Sequence, residues 1–168
     1  LDGVTDFQTY YAITKGLNEP FGWEEGLRRI ELTLSHDVIY DNPMNNVIFL
    51  DNHDLNRFFS LVNKDVNKWK LGIGLLMTLR GIPCVYYGTE WMLEGYTNPD
   101  DLVRQEFSGG WQGDHKNYFY HYYVSREELD LNEYYNTLAF FRKQANFSKL
   151  KFKHFVPEDN LYVYFRYN

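Results

Sequence analysis

Apolar residues recur along the chain in two periods, and their order predicts alternating strands and helices. Short apolar runs at residues 46–51 and 82–87 are bounded by turn residues, which is typical of strands buried on both faces. A further short strand is expected at residues 1–7. Helical spacing of apolar residues predicts helices over residues 10–17, 23–40, 65–80 and 131–146. Repeated strand–helix units indicate parallel strands with right-handed crossovers.

Two of the predicted helices show clear core-facing positions. In residues 23–40 these are Leu27, Ile30, Leu34 and Val38. In residues 65–80, Asp65 is the expected N-cap, and the stripe consists of Trp69, Gly72, Ile73, Leu76 and Leu79. Glycine lowers helix propensity, so the glycines at 72 and 74 indicate that another element packs very close to this helix.

The last part of the chain changes character. Residues 91–130 are rich in Gly, Asn, Asp and aromatic residues, and long irregular segments of this kind are usually functional or mobile. Residues 151–156 and 161–167 alternate around the turn at 157–160, which predicts a hairpin. The change of period predicts a domain boundary near residue 150.

Three polar residues, Asn52, His53 and Asp54, follow the apolar run of residues 46–51 directly. Parallel sheets and barrels carry their chemistry at the carboxyl ends of their strands. A buried strand also holds its end rigidly. These three residues are therefore the first candidates for a functional site.

The amino-acid composition and net charge limit the classes of function that this chain can have. Aromatic residues make up 19% of the 168 residues, and their rings suit either a core or a flat-faced ligand such as a sugar. The net charge of -6 argues against nucleic acid, because binding there depends on cationic residues. No apolar run is long enough to span a bilayer, and one cysteine excludes an internal disulfide framework. The chain starts without Met, and we expect it to be a fragment of a longer polypeptide.

Two motifs carry a resemblance to a known family. Residues 49–54 end in Asn-His-Asp, and residues 81–90 read Gly-x-Pro-x-x-Tyr-Tyr-Gly-x-Glu. In this order, with a helix between them, they resemble the seventh and eighth strands of the α-amylase family of glycoside hydrolases. Residues 52–58 and 102–111 are most similar to neopullulanases and cyclomaltodextrinases.

The resemblance implies an α/β fold. Residues 1–150 would be the C-terminal portion of a (β/α)8 TIM barrel, its last three βα units with strands six to eight. Residues 151–168 would be the first hairpin of an all-β, β-sandwich C-terminal domain.

The resemblance also implies a retaining mechanism on α-1,4-glucosidic bonds in starch-like glucans, cyclodextrins or pullulan. The family's nucleophile and general acid would lie upstream of this chain, so the chain alone is expected to be inactive. Asp54 maps onto the third catalytic carboxylate, and His53 onto a histidine that binds the same sugar. The other substrate-binding candidates are Asn52, Arg57, Arg104 and Trp111.

Several alternatives stay open. Asp54 and His53 could have structural roles at a strand end, Arg57 could orient carboxylates rather than touch sugar, and Trp111 could pack its own loop. Glu90 and Tyr87 could be structural at the rim, and the aromatic run at residues 118–123 is expected to be core. The parent protein could instead be an α-glucan transglycosidase, such as a trehalose synthase or an amylosucrase-like enzyme, or a non-catalytic glucan- or partner-binding barrel.

The cofactor, oligomeric state and location of the parent protein are also subjects of expectation. It needs no cofactor, although the resemblance leaves calcium open. A homodimer is also left open. If a signal peptide precedes the chain, a periplasmic or extracellular location is favoured.

Overall fold

The structure is a computed structural model that describes residues 3–168, apart from the side chain of Asp100. The helices are Phe7–Gly16 (α1), Leu27–Ser35 (α2), Phe58–Leu61 (α3), Val66–Thr78 (α4) and Arg126–Gln144 (α5). The strands are Val47–Ile48 (β1), Ile82–Pro83 (β2), Lys151–His154 (β3) and Tyr164–Tyr167 (β4). Short 3-10 turns occur between them. Within residues 3–168, no helix has the length and apolar character needed to cross a membrane.

β1 and β2 form a parallel pair, with Val47 opposite Ile82 and Ile48 opposite Pro83. On the other side of β1, Thr5 makes a single parallel bridge to Val47. This bridge is what the structure contains of the strand expected at residues 1–7; residues 1 and 2 lie outside the described range. The strand stops there because the Asp6 carboxylate accepts a hydrogen bond from the Thr9 amide at 2.8 Å, which starts α1.

The core lies between the parallel pair and helices α1, α2 and α4. Ile48, Phe49 and Leu50 are buried, which confirms that the chain around β1 is inaccessible on both sides. The predicted stripe on α4 is confirmed, since all five of its members are buried. The Asp65 side chain caps this helix by accepting from the amides of Asn67 and Lys68.

Gly72 and Gly74 of α4 give a matched test of close packing. A Cβ at Gly72 would lie 2.2 Å from Cζ of Phe58, whereas at Gly74 the nearest atom is the Tyr134 hydroxyl at 3.4 Å. We expect Gly72→Ala to lower the free energy of unfolding by about 1–3 kcal/mol through overpacking. Gly74→Ala should raise it by up to about 1 kcal/mol through helix propensity. Urea denaturation of both variants checks this, and equal effects would contradict the packing seen here.

Some sequence expectations differ from the structure. Val38, placed on the buried face of a helix over residues 23–40, is 86% exposed. The reason is that α2 ends at Ser35 and a 3-10 turn at His36–Ile39 follows, so the helical spacing no longer applies. The segment at residues 82–87 is not buried either, because β2 is an edge strand in the described sheet; Ile82 and Tyr87 are both exposed.

Helix α5 starts earlier than predicted, at Arg126 rather than at residue 131. Ser125 and Glu128 form a capping box, in which the serine hydroxyl accepts from the Glu128 amide and the glutamate carboxylate accepts from the Ser125 amide. Tyr134, Tyr135 and Leu138 of this helix pack against the core, whereas Phe141 is exposed.

The predicted hairpin is confirmed as the antiparallel pair of β3 and β4, with Lys151 opposite Tyr167. It packs against the end of α4. The Tyr164 hydroxyl lies 2.5 Å from that of Thr78, and the Arg166 guanidinium donates to the carbonyl oxygen of Leu79 at 2.7 Å. Burial, with the neighbouring charge of Arg142, lowers the pKa of Arg166 to about 10. The domain boundary near residue 150 stays a prediction.

Arg80 ties three segments together at the amino end of β2. Its side chain is 1% exposed and forms ion pairs with Asp6 at 2.6 Å and Asp37 at 2.5 Å. Burial disfavours the guanidinium charge, but hydrogen bonds and charge from Asp37 and Asp6 outweigh it and raise the pKa of Arg80. Asp6 therefore has a structural role, as an ion-pair partner of Arg80 and as the N-cap of α1.

Candidate functional site

The candidate site lies where the chain leaves β1 and turns outward. The Asn52 side-chain oxygen accepts a hydrogen bond from the Asp54 amide at 2.8 Å, which closes a tight turn. This turn brings the side chains of His53 and Asp54 to the surface, where they are 64% and 65% exposed. The structure thus holds a carboxylate and an imidazole in solvent, directly after a buried strand.

Arg104 reaches the same point from the long segment after β2. Its Nη2 donates to one Asp54 oxygen at 3.0 Å, and its Nε donates to the His53 carbonyl oxygen at 2.9 Å. The other Asp54 oxygen lies 3.2 Å from Nε2 of His53. Three of the predicted site residues therefore meet at one carboxylate, although Arg104 is distant from the other two in sequence.

Asp51 precedes this turn, and its buried side chain connects the turn to neighbouring segments. One oxygen of its buried carboxylate accepts from the Phe58 amide at 2.9 Å, and the other accepts from the Thr89 hydroxyl at 2.6 Å. Burial raises the pKa of Asp51, while these hydrogen bonds and the charge of Arg57 oppose the shift. The residue joins the end of β1 to the start of α3 and to the segment after β2.

Arg57 is fully buried beneath the turn. Its guanidinium carbon lies 4.2 Å and 4.8 Å from the ring centroids of Tyr86 and Tyr87, and Nη1 donates to the Tyr87 carbonyl oxygen at 2.7 Å. Within the described residues, its Nε and Nη2 have no hydrogen-bond partner. In this structure Arg57 holds the chain after β2 in place, rather than presenting its charge to solvent.

Glu90 completes the buried charged group. Burial raises the pKa of its carboxyl, the charge of Asp51 adds to this effect, and Arg57 opposes it. The sequence analysis considered Glu90 only as a rim residue and assigned no role to Asp51. The sequence feature that could have identified Asp51 is its position, because it is the last buried residue after β1.

The remaining candidates lie on the segment after β2. The Tyr87 hydroxyl donates to the Gln105 carbonyl oxygen at 2.8 Å. Trp111 is exposed on a turn in which the Asp114 carboxylate accepts from the amides of Gly109, at 2.6 Å, and Trp111, at 3.1 Å. The aromatic run expected to be core is mostly exposed: only Tyr118 of residues 118–123 is buried.

Metal binding has little support at this site. The described residues contain no group of three or more His, Cys, Asp or Glu side chains arranged to hold a metal ion. Calcium therefore stays an expectation about the complete polypeptide.

Comparison with known proteins shows which family the chain resembles. The family model for the alpha amylase catalytic domain matches residues 28–108. The beta/alpha-amylase of Paenibacillus polymyxa is 35% identical over 113 residues, which is 63% of this chain and 9% of that protein. Over these residues the chain is similar to the alpha-amylase family.

Two further proteins are similar to this chain. A cyclomaltodextrin glucanotransferase of Geobacillus stearothermophilus is 39% identical over 62 residues, covering 37% of this chain and 9% of that protein. The crystal structure of an alpha-amylase from Geobacillus thermoleovorans, complexed with acarbose, aligns with a TM-score of 0.75 and 24% identity. It covers 100% of this chain and 34% of that chain.

These comparisons confirm the α/β fold shared with alpha-amylases and the resemblance to that family expected from the two motifs. The chain spans about 9% of the length of the curated relatives it matches and about a third of the solved structure. The finer resemblance to neopullulanases and cyclomaltodextrinases stays a prediction.

Proposed function

We propose that the complete polypeptide containing this chain cleaves α-1,4-glucosidic bonds in starch-like glucans, cyclodextrins or pullulan, with retention at the anomeric carbon. The exposed Asp54 carboxylate, mounted at the end of a buried strand, is the observation that carries this proposal. It would provide a fixed negative charge at the position where the resemblance implies that the sugar at the cleaved bond is held.

Asp54 would act by binding ring hydroxyls and by electrostatics. A carboxylate accepts two hydroxyl protons at once, and such charge-assisted hydrogen bonds are stronger than neutral ones. The transition state of glycoside cleavage carries positive charge on the sugar ring, which a preorganised negative group stabilises. Asp54 would therefore bind the transition state more tightly than the substrate.

The surrounding residues would position this carboxylate and contact the same sugar. His53 and Arg104 already hydrogen-bond or pair with Asp54, so each could exchange one of these contacts for a sugar hydroxyl. Asn52 sets the turn. Arg57 would position Tyr87 from the protein interior, through the hydrogen bond to its carbonyl oxygen. Trp111 would stack on a glucose ring, because its side chain is exposed.

The reaction also needs a nucleophile and a general acid. In the family these lie on strands four and five, and we assign neither to this chain. The proposal therefore concerns the complete polypeptide, in which Asp54 would be the third carboxylate. Calcium, a homodimer and a periplasmic or extracellular location remain expectations about that polypeptide.

Transglycosylation is the second candidate. The cyclomaltodextrin glucanotransferases among the relatives support it, because a glucanotransferase passes the glycosyl group to a sugar hydroxyl rather than to water. A trehalose synthase or an amylosucrase-like activity would be further forms of transfer. A non-catalytic glucan- or partner-binding barrel is the remaining alternative.

Product analysis on soluble starch separates these candidates. We expect the complete polypeptide to raise the concentration of reducing ends, because hydrolysis creates one at each cleavage. The 168-residue chain alone should release none, because we place the nucleophile and the acid outside it. Cyclic or lengthened products without new reducing ends would favour transfer. No product at all from the complete polypeptide would contradict the proposed function.

A further inference from the structure

Tyr87 connects the buried interior next to the candidate site with the segment that carries Arg104. Its carbonyl oxygen accepts a hydrogen bond from the Arg57 guanidinium at 2.7 Å. Its hydroxyl, at the other end of the residue, donates to the Gln105 carbonyl oxygen at 2.8 Å. Gln105 directly follows Arg104 in the sequence. The Tyr87 hydroxyl therefore binds the backbone next to the arginine that pairs with Asp54.

The ring of Tyr87 is held by contacts on more than one side. The guanidinium carbon of Arg57, which is fully buried, lies 4.8 Å from the ring centroid, and a cation over an aromatic ring is attracted to it. The Tyr86 ring contacts it edge-on at 4.6 Å between centroids, and the Phe107 ring lies at 6.5 Å. A hydroxyl on a ring held in this way has a defined position relative to the protein interior.

The backbone around Gln105 has no helix or strand to fix its position. A 3-10 turn ends at Val103, and residues 105–107 have no regular structure. Val103 is buried, and the Gln105 side-chain amide donates to the carbonyl oxygens of Glu94 and Leu102, so the start of the segment is anchored. The Tyr87 hydroxyl adds a contact to the main chain itself, at the peptide group that follows Arg104.

The ion pair of Arg104 and Asp54 needs such support, because both side chains are exposed. Arg104 is 46% exposed and Asp54 is 65% exposed. Exposed ion pairs contribute little unless their geometry is fixed, since ordering two long side chains costs conformational entropy. A backbone that is already held at Gln105 lowers this cost for Arg104. The orientation of the Asp54 carboxylate thus depends on a contact outside the candidate site.

We propose that Tyr87 is a positioning residue, which holds Arg104 on the Asp54 carboxylate through the hydrogen bond from its hydroxyl to the Gln105 carbonyl oxygen. This inference rests on the proposed function, since that function requires a fixed orientation of the Asp54 carboxylate towards sugar hydroxyls. Tyr87 acts through Arg104 and needs no contact with the sugar. Losing the hydroxyl should lower kcat rather than raise KM, because the contacts made in the transition state are the most sensitive to orientation.

A double-mutant cycle on the complete polypeptide, with soluble starch as substrate, tests the proposal. Tyr87→Phe keeps the ring and removes only the hydroxyl, and we expect it to lower kcat about tenfold with KM unchanged, the effect of one hydrogen bond. In an Arg104→Met background the same substitution should have no further effect, because the residue through which it acts is gone.

Tyr96→Phe is the matched control for this cycle. The Tyr96 hydroxyl also donates to a backbone carbonyl oxygen, that of Ser60 at 3.1 Å, but it has no contact with the segment of Arg104 in this structure. Its removal should leave kcat and KM unchanged in both backgrounds. Equal losses of kcat from Tyr87→Phe with and without Arg104 would overturn the proposal, because a general structural effect would be additive.

Crystal structures of the two phenylalanine variants give a readout that needs no turnover. In Tyr87→Phe we expect Nη2 of Arg104 to lie beyond about 4 Å from the Asp54 carboxylate, the limit of an ion pair. In Tyr96→Phe the pair should be retained. An intact pair in Tyr87→Phe would overturn the proposal. If the wild type releases no reducing ends from starch, the proposed function fails, and the two structures still decide whether Tyr87 holds Arg104 on Asp54.

Discussion

Replacing Asp54 with asparagine is expected to lower the kcat of the complete polypeptide on soluble starch by about a thousandfold, the loss typical of removing one preorganised electrostatic contact to a transition state. Asparagine keeps the size of the side chain but removes the negative charge. The exposed carboxylate supports no core packing, so the thermal unfolding midpoint should stay close to that of the wild type. Steady-state kinetics together with a thermal melt check both parts.

The matched control for this variant is Asp130→Asn. Asp130 is also an exposed carboxylate paired with an arginine, since its oxygen lies 2.8 Å from Nη2 of Arg126. It lies on α5, away from the turn at the end of β1. Its kcat should be that of the wild type. If Asp54→Asn behaved like this control, the catalytic assignment of Asp54 would be wrong.

Arg80→Met is expected to lower the free energy of unfolding of the complete polypeptide by about 3–5 kcal/mol, because it leaves buried carboxylates without their partner. Asp6 is 1% exposed and Asp37 is 17% exposed, so water cannot replace the guanidinium around Asp6. Methionine has a similar length and preserves much of the packing, so the loss reports mainly on charge. Urea denaturation measures it.

Arg126→Met provides the comparison for the buried ion pairs. Arg126 is 83% exposed and pairs with Asp130 one helical turn away. Exposed pairs of this kind contribute less than about 1 kcal/mol. A loss for Arg80→Met no larger than for Arg126→Met would show that the network of Asp6, Asp37 and Arg80 does not hold these segments together.

The position of the candidate site could be predicted from the sequence because it depends only on the order of neighbouring residues along the chain. An apolar run followed by Asn52, His53 and Asp54 places these residues at a strand end, whatever the remaining chain does. The stripe on α4 was predictable for the same reason, since its spacing is complete over the helix. Both predictions use residues that are neighbours in sequence or on one helix face.

The structural features that the sequence did not predict correctly depend on contacts between residues distant in sequence or on helix capping. Arg104 reaches Asp54 from a long irregular segment, and periodicity says nothing about where such a segment goes. Val38 left its expected face because α2 ended early, and β2 is exposed because it lies at an edge of the described sheet. The start of α5 was readable, because Ser125 and Glu128 have the spacing of a capping box.

The aromatic run at residues 118–123 shows a further limit of composition. Aromatic residues at such density usually fill a core, yet here a turn closed by Asn117 turns most of the rings outward. Two residues with positive φ angles produce that turn, and neither is a glycine. No sequence rule would have placed His121 and Tyr123 in that conformation.

The central claim is that the Asp54 carboxylate contacts the glucose ring at the bond that breaks. A crystal structure of the complete polypeptide with a bound maltooligosaccharide tests it most directly. We predict hydrogen bonds of about 2.5–3.0 Å from the Asp54 oxygens to ring hydroxyls of one glucose unit. A sugar bound elsewhere, with Asp54 still paired only to His53 and Arg104, would contradict the claim.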